Sequence, residues 1–131
     1  MSTITYGFER NLPGVSFAAA VARVTDALKA EGFGILSEID IAGAFKKKLD
    51  SDFRPYVILG ACNPVLAHRA LQAEPQIGLM LPCNVVVQAA TDGTTVSIAD
   101  PKAMFTVVSN AELVAVADDA EARLKRVIAA L

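Results

Sequence analysis

The sequence is short of the residues from which many functional sites are built. It contains no tryptophan, one histidine and two cysteines among 131 residues. A closed zinc site needs four protein ligands, and a catalytic zinc site usually needs three. Cys62, Cys83 and His68 reach the lower number only if all three bind, so a soft-metal site would otherwise need carboxylates or a second copy of the chain. On a helical wheel, His68 lies away from the apolar face of its predicted helix, so we expect it to face solvent.

A basic excess and a membrane-spanning segment are also absent. The net charge is −2, and the basic run Lys46–Lys48 is followed by acidic residues, so we expect no nucleic-acid binding. The first residues lack the pattern of a signal peptide. The longest apolar stretch, residues 77–87, is too short to span a bilayer and contains Pro82. We therefore expect a cytoplasmic protein that does not bind membranes and whose cysteines are reduced thiols.

The sequence motifs of several common enzyme classes are missing as well. There is no glycine-rich phosphate loop, no dinucleotide-binding fingerprint and no nucleophile elbow. The two cysteines are too far apart to form a CxxC motif. The sequence therefore assigns no cofactor, and it leaves open whether the protein is an enzyme.

The residues that are present predict one folded domain over residues 1–131. The composition is 53% hydrophobic and 20% charged, which excludes a disordered chain. Periodicity and turn residues predict the order β-α-β-α-β-α-β-β-α, with a first strand over residues 3–8 and a last helix opened by a capping box of Ser109 and Glu112. The predicted fold class is α+β, a mixed β-sheet with helices packed on it.

Two Cys-Asn pairs, Cys62-Asn63 and Cys83-Asn84, are the most unusual feature of the sequence. The first pair ends an apolar strand and precedes a predicted helix, in which Asn63 would be the N-cap. A helix N-terminus stabilises anions, so this position predicts a lowered pKa for the Cys62 thiol. The second pair follows Pro82, which marks an edge, a bend or a bulge. The two pairs would meet if their strands are neighbours.

The same segments resemble domain-of-unknown-function family 302. The resemblance is carried by the run YVILGACNP at residues 56–64, by LPCNVVV at residues 81–87, and by Asp100-Pro101 with the final helix. It implies a prokaryotic α+β domain that is commonly a homodimer. It implies no biochemical activity.

Three functions are compatible with this pattern. A binding module would hold a small ligand or a soft metal beside Cys62, Asn63, Cys83 and Asn84. A thiol-based redox or sulfur-handling protein would use Cys62 as the thiolate and Cys83 as the second thiol. In a structural domain both cysteines would be core residues, and the final helix or a sheet edge would pair with a second copy. We favour the binding module because the cysteine spacing differs from that of common redox motifs.

Overall fold

The strands and helices follow one another in the predicted order. The computed structural model describes residues 4–131. Its strands are β1 (Gly7–Pro13), β2 (Gly34–Asp40), β3 (Tyr56–Cys62), β4 (Cys83–Ala90) and β5 (Gly93–Ala99). Its helices are α1 (Phe17–Ala30), α2 (Ile41–Leu49), α3 (Pro64–Ala73), a 3₁₀ helix (Pro75–Met80), α4 (Pro101–Phe105) and α5 (Glu112–Ala129). Among residues 4–131, no helix combines the length and the apolar character needed to cross a bilayer.

The five strands form one sheet in the order β1-β5-β4-β3-β2. Every neighbouring pair in it is antiparallel, which confirms the α+β class. The predicted mixture of parallel and antiparallel pairs is not found among the described strands. The reason is connectivity, since α1 carries the chain from one edge of the sheet to the other, while α2 and α3 each join antiparallel neighbours.

Short polar side chains begin most of the helices, as their preference for N-caps predicts. Ser16 Oγ accepts the Ala19 N–H at 3.1 Å at the start of α1. The helix α5 begins differently from the prediction, because Asn110 Oδ1, and not Ser109, accepts the Glu112 N–H at 3.0 Å. The Asn110 side chain also donates to Ala73 O at 2.9 Å and so ties α5 to the end of α3.

The first strand lies further along the chain than predicted. It runs over Gly7–Pro13, whereas the sequence pattern placed it over residues 3–8. Residue Thr3 of that prediction lies outside the described residues. Pairing with β5 sets the true limits, since Gly7 lies opposite Ala99 and Pro13 lies opposite Gly93.

The helices α1 and α5 cover one face of the sheet, which we call the inner face. The main core lies between them and includes Val24, Leu28, Leu59, Val87 and Leu124. A second apolar cluster lies beyond the end of the sheet, where α3, the 3₁₀ helix, α4 and the first half of α5 meet; it contains Leu66, Ala70, Ile77, Phe105, Leu113 and Val116. The candidate site lies at the junction of these two clusters.

The opposite, outer face of the sheet carries apolar residues at its centre. Ile39 lies opposite Ile58, and Ile58 lies opposite Val86. Ile58 and Val86 alternate with buried inner-face residues along β3 and β4, so they point to the other side. Ile39 shares that face because it lies opposite Ile58 in the register. None of these three side chains is buried, and Ile39 is 49% exposed. An antiparallel sheet with a solvated face usually carries polar residues there.

Candidate functional site

The antiparallel pairing of β3 with β4 brings the two Cys-Asn pairs together at one end of these two neighbouring strands. Cys62 is the last residue of β3, and Cys83 is the first residue of β4. Ala61 lies directly opposite Cys83 in the register. The predicted meeting of the two pairs therefore follows from the strands being neighbours.

The members of the second pair point to opposite faces of the sheet. Cys83 shares the inner face with Ala61 and packs against the main core. Asn84 lies opposite Gly60 and is exposed on the outer face. This alternation is the ordinary geometry of a strand. It separates two residues that the sequence pattern had placed in one site.

An apolar cavity of about 30 Å³ lies beside the two cysteines. Cys62, Asn63 and Cys83 line it, whereas Asn84 does not. Its remaining walls come from α3, α4, α5 and the segments next to them, and they include Phe33, Leu66, Pro101, Phe105, Val116 and Ala120. No charged side chain lines this cavity. Three of the four predicted site residues therefore line one apolar space.

Asn63 is buried and acts as the N-cap of α3. Its Oδ1 accepts the Leu66 N–H at 3.2 Å, which confirms the predicted cap. Its side-chain amide lies against Gly32, whose φ is +86° and whose added Cβ would lie 3.0 Å from Asn63 Nδ2. Arg123 holds the same turn by donating to Glu31 O at 3.1 Å. The hydrogen bond to Leu66 and the contact with Gly32 give Asn63 a structural role at the cavity wall.

Both thiols are less acidic than an ordinary cysteine. Burial raises the pKa of Cys62. Burial, followed by the charge of nearby Cys62, raises the pKa of Cys83 to about 11. These directions are opposite to the lowered pKa predicted from the helix N-terminus. Because the thiolate is the nucleophile, two neutral thiols at pH 7 give no support to an activated-thiol mechanism.

The residues considered for a soft metal do not form a ligand cluster. Across residues 4–131, no group of three histidine, cysteine or carboxylate side chains could hold a metal ion. His68 is exposed on α3, as expected. The cavity lining offers only the thiols of Cys62 and Cys83 from these residue types. A protein site with two ligands falls short of the three or four that zinc usually takes.

The cavity walls contributed by α4 and α5 were not predicted from the sequence. Phe105, Val116 and Ala120 do not belong to the site predicted from the sequence. The spacing of Val116 and Ala120 along the last helix does predict one shared face. No local signal shows that this face meets Cys83 across the fold.

Comparison with known families decides the identity of the fold. A family model described as "Domain of unknown function DUF302" matches residues 8–131. The chain belongs to the DUF302 family. This membership confirms the resemblance seen in the sequence, and the family's description assigns no biochemical function.

A solved DUF302 structure has the same architecture. It is described as the "Crystal structure of uncharacterized conserved protein DUF302 from Bacillus stearothermophilus". The two chains are 27% identical, and their structures superpose with a TM-score of 0.87 over 97% of this chain and 98% of the other. A search of the curated proteins finds no match. The DUF302 fold is therefore shown over nearly the whole chain, and function has to be argued from the site.

Proposed function

We propose that this DUF302 protein is a binding module for a small uncharged ligand, part of which occupies the cavity beside Cys62, Asn63 and Cys83. The observation that carries the proposal is an apolar cavity at the junction of two core clusters. Its volume of about 30 Å³ exceeds the roughly 10–15 Å³ that one water needs.

The lining determines which chemistry the cavity accepts. It contains no charged side chain, so an ion would lose its hydration without gaining a partner. Within residues 4–131, no buried side-chain nitrogen or oxygen lacks a hydrogen-bond partner. The cavity therefore offers a ligand little beyond dispersion contacts and the weak hydrogen-bonding capacity of a thiol. This environment favours an apolar group over water or a metal ion.

Xenon provides a direct test, because apolar cavities bind it. We expect the methyl NMR signals of Leu66 and Val116 to shift saturably as the xenon pressure rises. Ala120 lines the cavity and is 6% exposed, so Ala120→Leu should fill the space and abolish the shifts. Ala122→Leu, on the exposed side of the same helix, is the matched control. Non-saturating shifts, or shifts unaffected by Ala120→Leu, would contradict the proposal.

Homodimerisation through the outer sheet face is a second candidate function. Ile39 is 49% exposed, and Ile58 and Val86 are only partly buried. An apolar centre on a sheet face that no helix of the main core covers fits a second copy of the chain better than it fits water. The apolar centre of the outer face at Ile39, Ile58 and Val86 is where such an interface would lie. The final helix is not available for this role, because its apolar stripe is buried in the core.

Sedimentation equilibrium tests this second function. We expect a dimer at micromolar concentration, and we expect Ile39→Lys to weaken it at least tenfold. Val114 is 57% exposed on α5, far from the outer face, and Val114→Lys is the matched control. A wild-type chain that is still monomeric at a concentration on the order of 100 µM would refute homodimerisation.

A further inference from the structure

A second space lies on the other side of the cavity wall. It has a volume of about 200 Å³ and is lined by Leu79, Met80, Asn84 and Met104, among others. The side chains of Leu81, Pro82, Cys83, Pro101 and Phe105 line both this outer groove and the inner cavity. One thin wall of five residues therefore separates the two spaces.

We infer that the inner cavity and the outer groove together form one binding site for an elongated, uncharged, apolar molecule, such as a single hydrocarbon chain that ends in a neutral hydrogen-bonding group. This inference rests on the proposed function and adds the class of ligand. The apolar end lies in the cavity beside Cys83, the chain runs through the groove, and the polar end lies near Asn84.

The volumes of the two spaces limit the shape of the ligand. An engineered protein cavity that binds benzene measures about 150 Å³, whereas the inner cavity here measures about 30 Å³. A space of that size admits only the tip of a metabolite. The outer groove adds about 200 Å³ directly beyond the shared wall. A ligand that fills both spaces must therefore be longer than it is wide.

The side chains that line the two spaces determine which end group the ligand can carry. No charged side chain lines either space, so a carboxylate or phosphate would be desolvated without a partner. Met80 and Met104 supply flexible thioether side chains, which adapt to ligands of varied shape. Asn84 contributes an amide that can donate to and accept from a neutral polar group. Charge complementarity thus favours an alcohol, amide or similar end group over an anion.

The rim of the outer groove and the shared wall indicate how an apolar chain would enter. Leu79 is 82% exposed at the rim of the groove, so an apolar surface extends to the entrance. The wall is built from the Leu81–Cys83 segment and from α4, which has only five residues. We place the connection at Leu81 and Phe105, where a change of side-chain rotamer would join the two spaces.

Binding of unbranched primary alcohols from butanol to decanol tests the inference, with calorimetry as the readout. Each additional buried methylene should tighten binding about fourfold, since it contributes about 0.8 kcal/mol. Octanoate should bind at least ten times more weakly than octanol. If the affinity does not change with chain length, or if octanoate binds as well as octanol, the elongated site is wrong, while the proposed function still stands on its xenon result. If neither alcohols nor xenon bind, both are wrong.

Two variants locate the chain in the groove. Leu79→Glu changes a side chain that is already exposed, so we expect normal folding, a loss of at least tenfold in decanol affinity and an unchanged xenon response. Met104→Glu should act in the same way closer to the cavity. Val107→Glu is the control, because Val107 is 71% exposed and does not line the groove. Decanol binding that is equal in Leu79→Glu and in the wild type would place the chain elsewhere and overturn the inference.

Discussion

The buried thiol of Cys83 allows a quantitative prediction about its reactivity. In a Cys62→Ser variant, Cys83 is the remaining cysteine and can be followed alone. The variant keeps burial, the larger cause of the raised pKa, and loses the charge of Cys62, the smaller cause, so the wild-type pKa of about 11, against an ordinary value of 9.0, is its upper limit. At that limit about one thiol in a thousand is ionised at pH 8, compared with about one in ten for an ordinary thiol. The higher pKa makes each thiolate about tenfold more nucleophilic. Alkylation should therefore be about tenfold slower than in the unfolded chain, before any loss of access is counted.

The assay is alkylation by iodoacetamide, a small neutral reagent, followed by mass spectrometry between pH 7 and pH 10. In the folded variant the logarithm of the rate should rise with unit slope up to pH 10, because ionisation is still far from complete. In concentrated urea the same plot should bend near pH 9. The difference in shape identifies the raised pKa independently of how easily the reagent reaches the sulfur.

A plateau of the alkylation rate at or below pH 9 in the folded protein would contradict a raised pKa for Cys83. It would mean that Cys83 ionises as it does in water, and so that its thiol is not enclosed in the apolar junction. A Cys83→Ser variant, which retains Cys62, serves as the comparison. Burial raises the pKa of that thiol too, so its curve should also bend above the pH at which the unfolded chain bends.

Three further predictions concern stability. The unfolding free energy should fall by about 2 kcal/mol as the pH rises from 8 to 11, because the unfolded chain ionises near pH 9 while Cys83 in the fold ionises only near its raised pKa of about 11; urea titrations should show a steeper fall in the wild type than in Cys83→Ala, which keeps the contribution of Cys62. Asn63→Ala should cost about 1 kcal/mol through loss of the α3 cap, whereas Asn63→Ser, which keeps a neutral acceptor oxygen, should cost less in the same titration. Leu124→Ala should cost about 3 kcal/mol, because Leu124 is fully buried between α5 and the sheet; a loss below 1 kcal/mol would contradict this assignment of the core.

Much of the fold could be predicted because local signals and tertiary packing agree. Ser16 and Asn63 are favourable N-caps, and both do cap helices. The first strand could not be placed in this way, because Arg10 interrupts its alternation of apolar residues on the inner face. Its guanidinium reaches past the core and donates to Ile128 O at 3.0 Å and Ala129 O at 2.9 Å. The carbonyl groups at the end of α5 therefore explain why the charged side chain of Arg10 lies on the inner face.

The site was predicted in part for a similar reason. The sequence indicated Cys62, Asn63 and Cys83, since strand ends, helix starts and proline are local features. It did not separate Asn84 from Cys83, because the alternation that points them to opposite faces applies only once Cys83 is known to be the first residue of β4. It also gave the wrong direction for the thiol pKa. The Asn63 side chain already accepts the Leu66 N–H at the start of α3, and burial sets the direction of the shift.

The pairing of β1 with β5 has a consequence for how the chain is made. Arg10 and its acceptors on α5 are 118 and 119 positions apart in the sequence. Contacts of such long range slow folding, because the chain loses the entropy of closing a long loop before the contacts contribute any favourable free energy. During translation, residues 7–13 have no partner until β5 has left the ribosome. We therefore expect this edge of the sheet to form last.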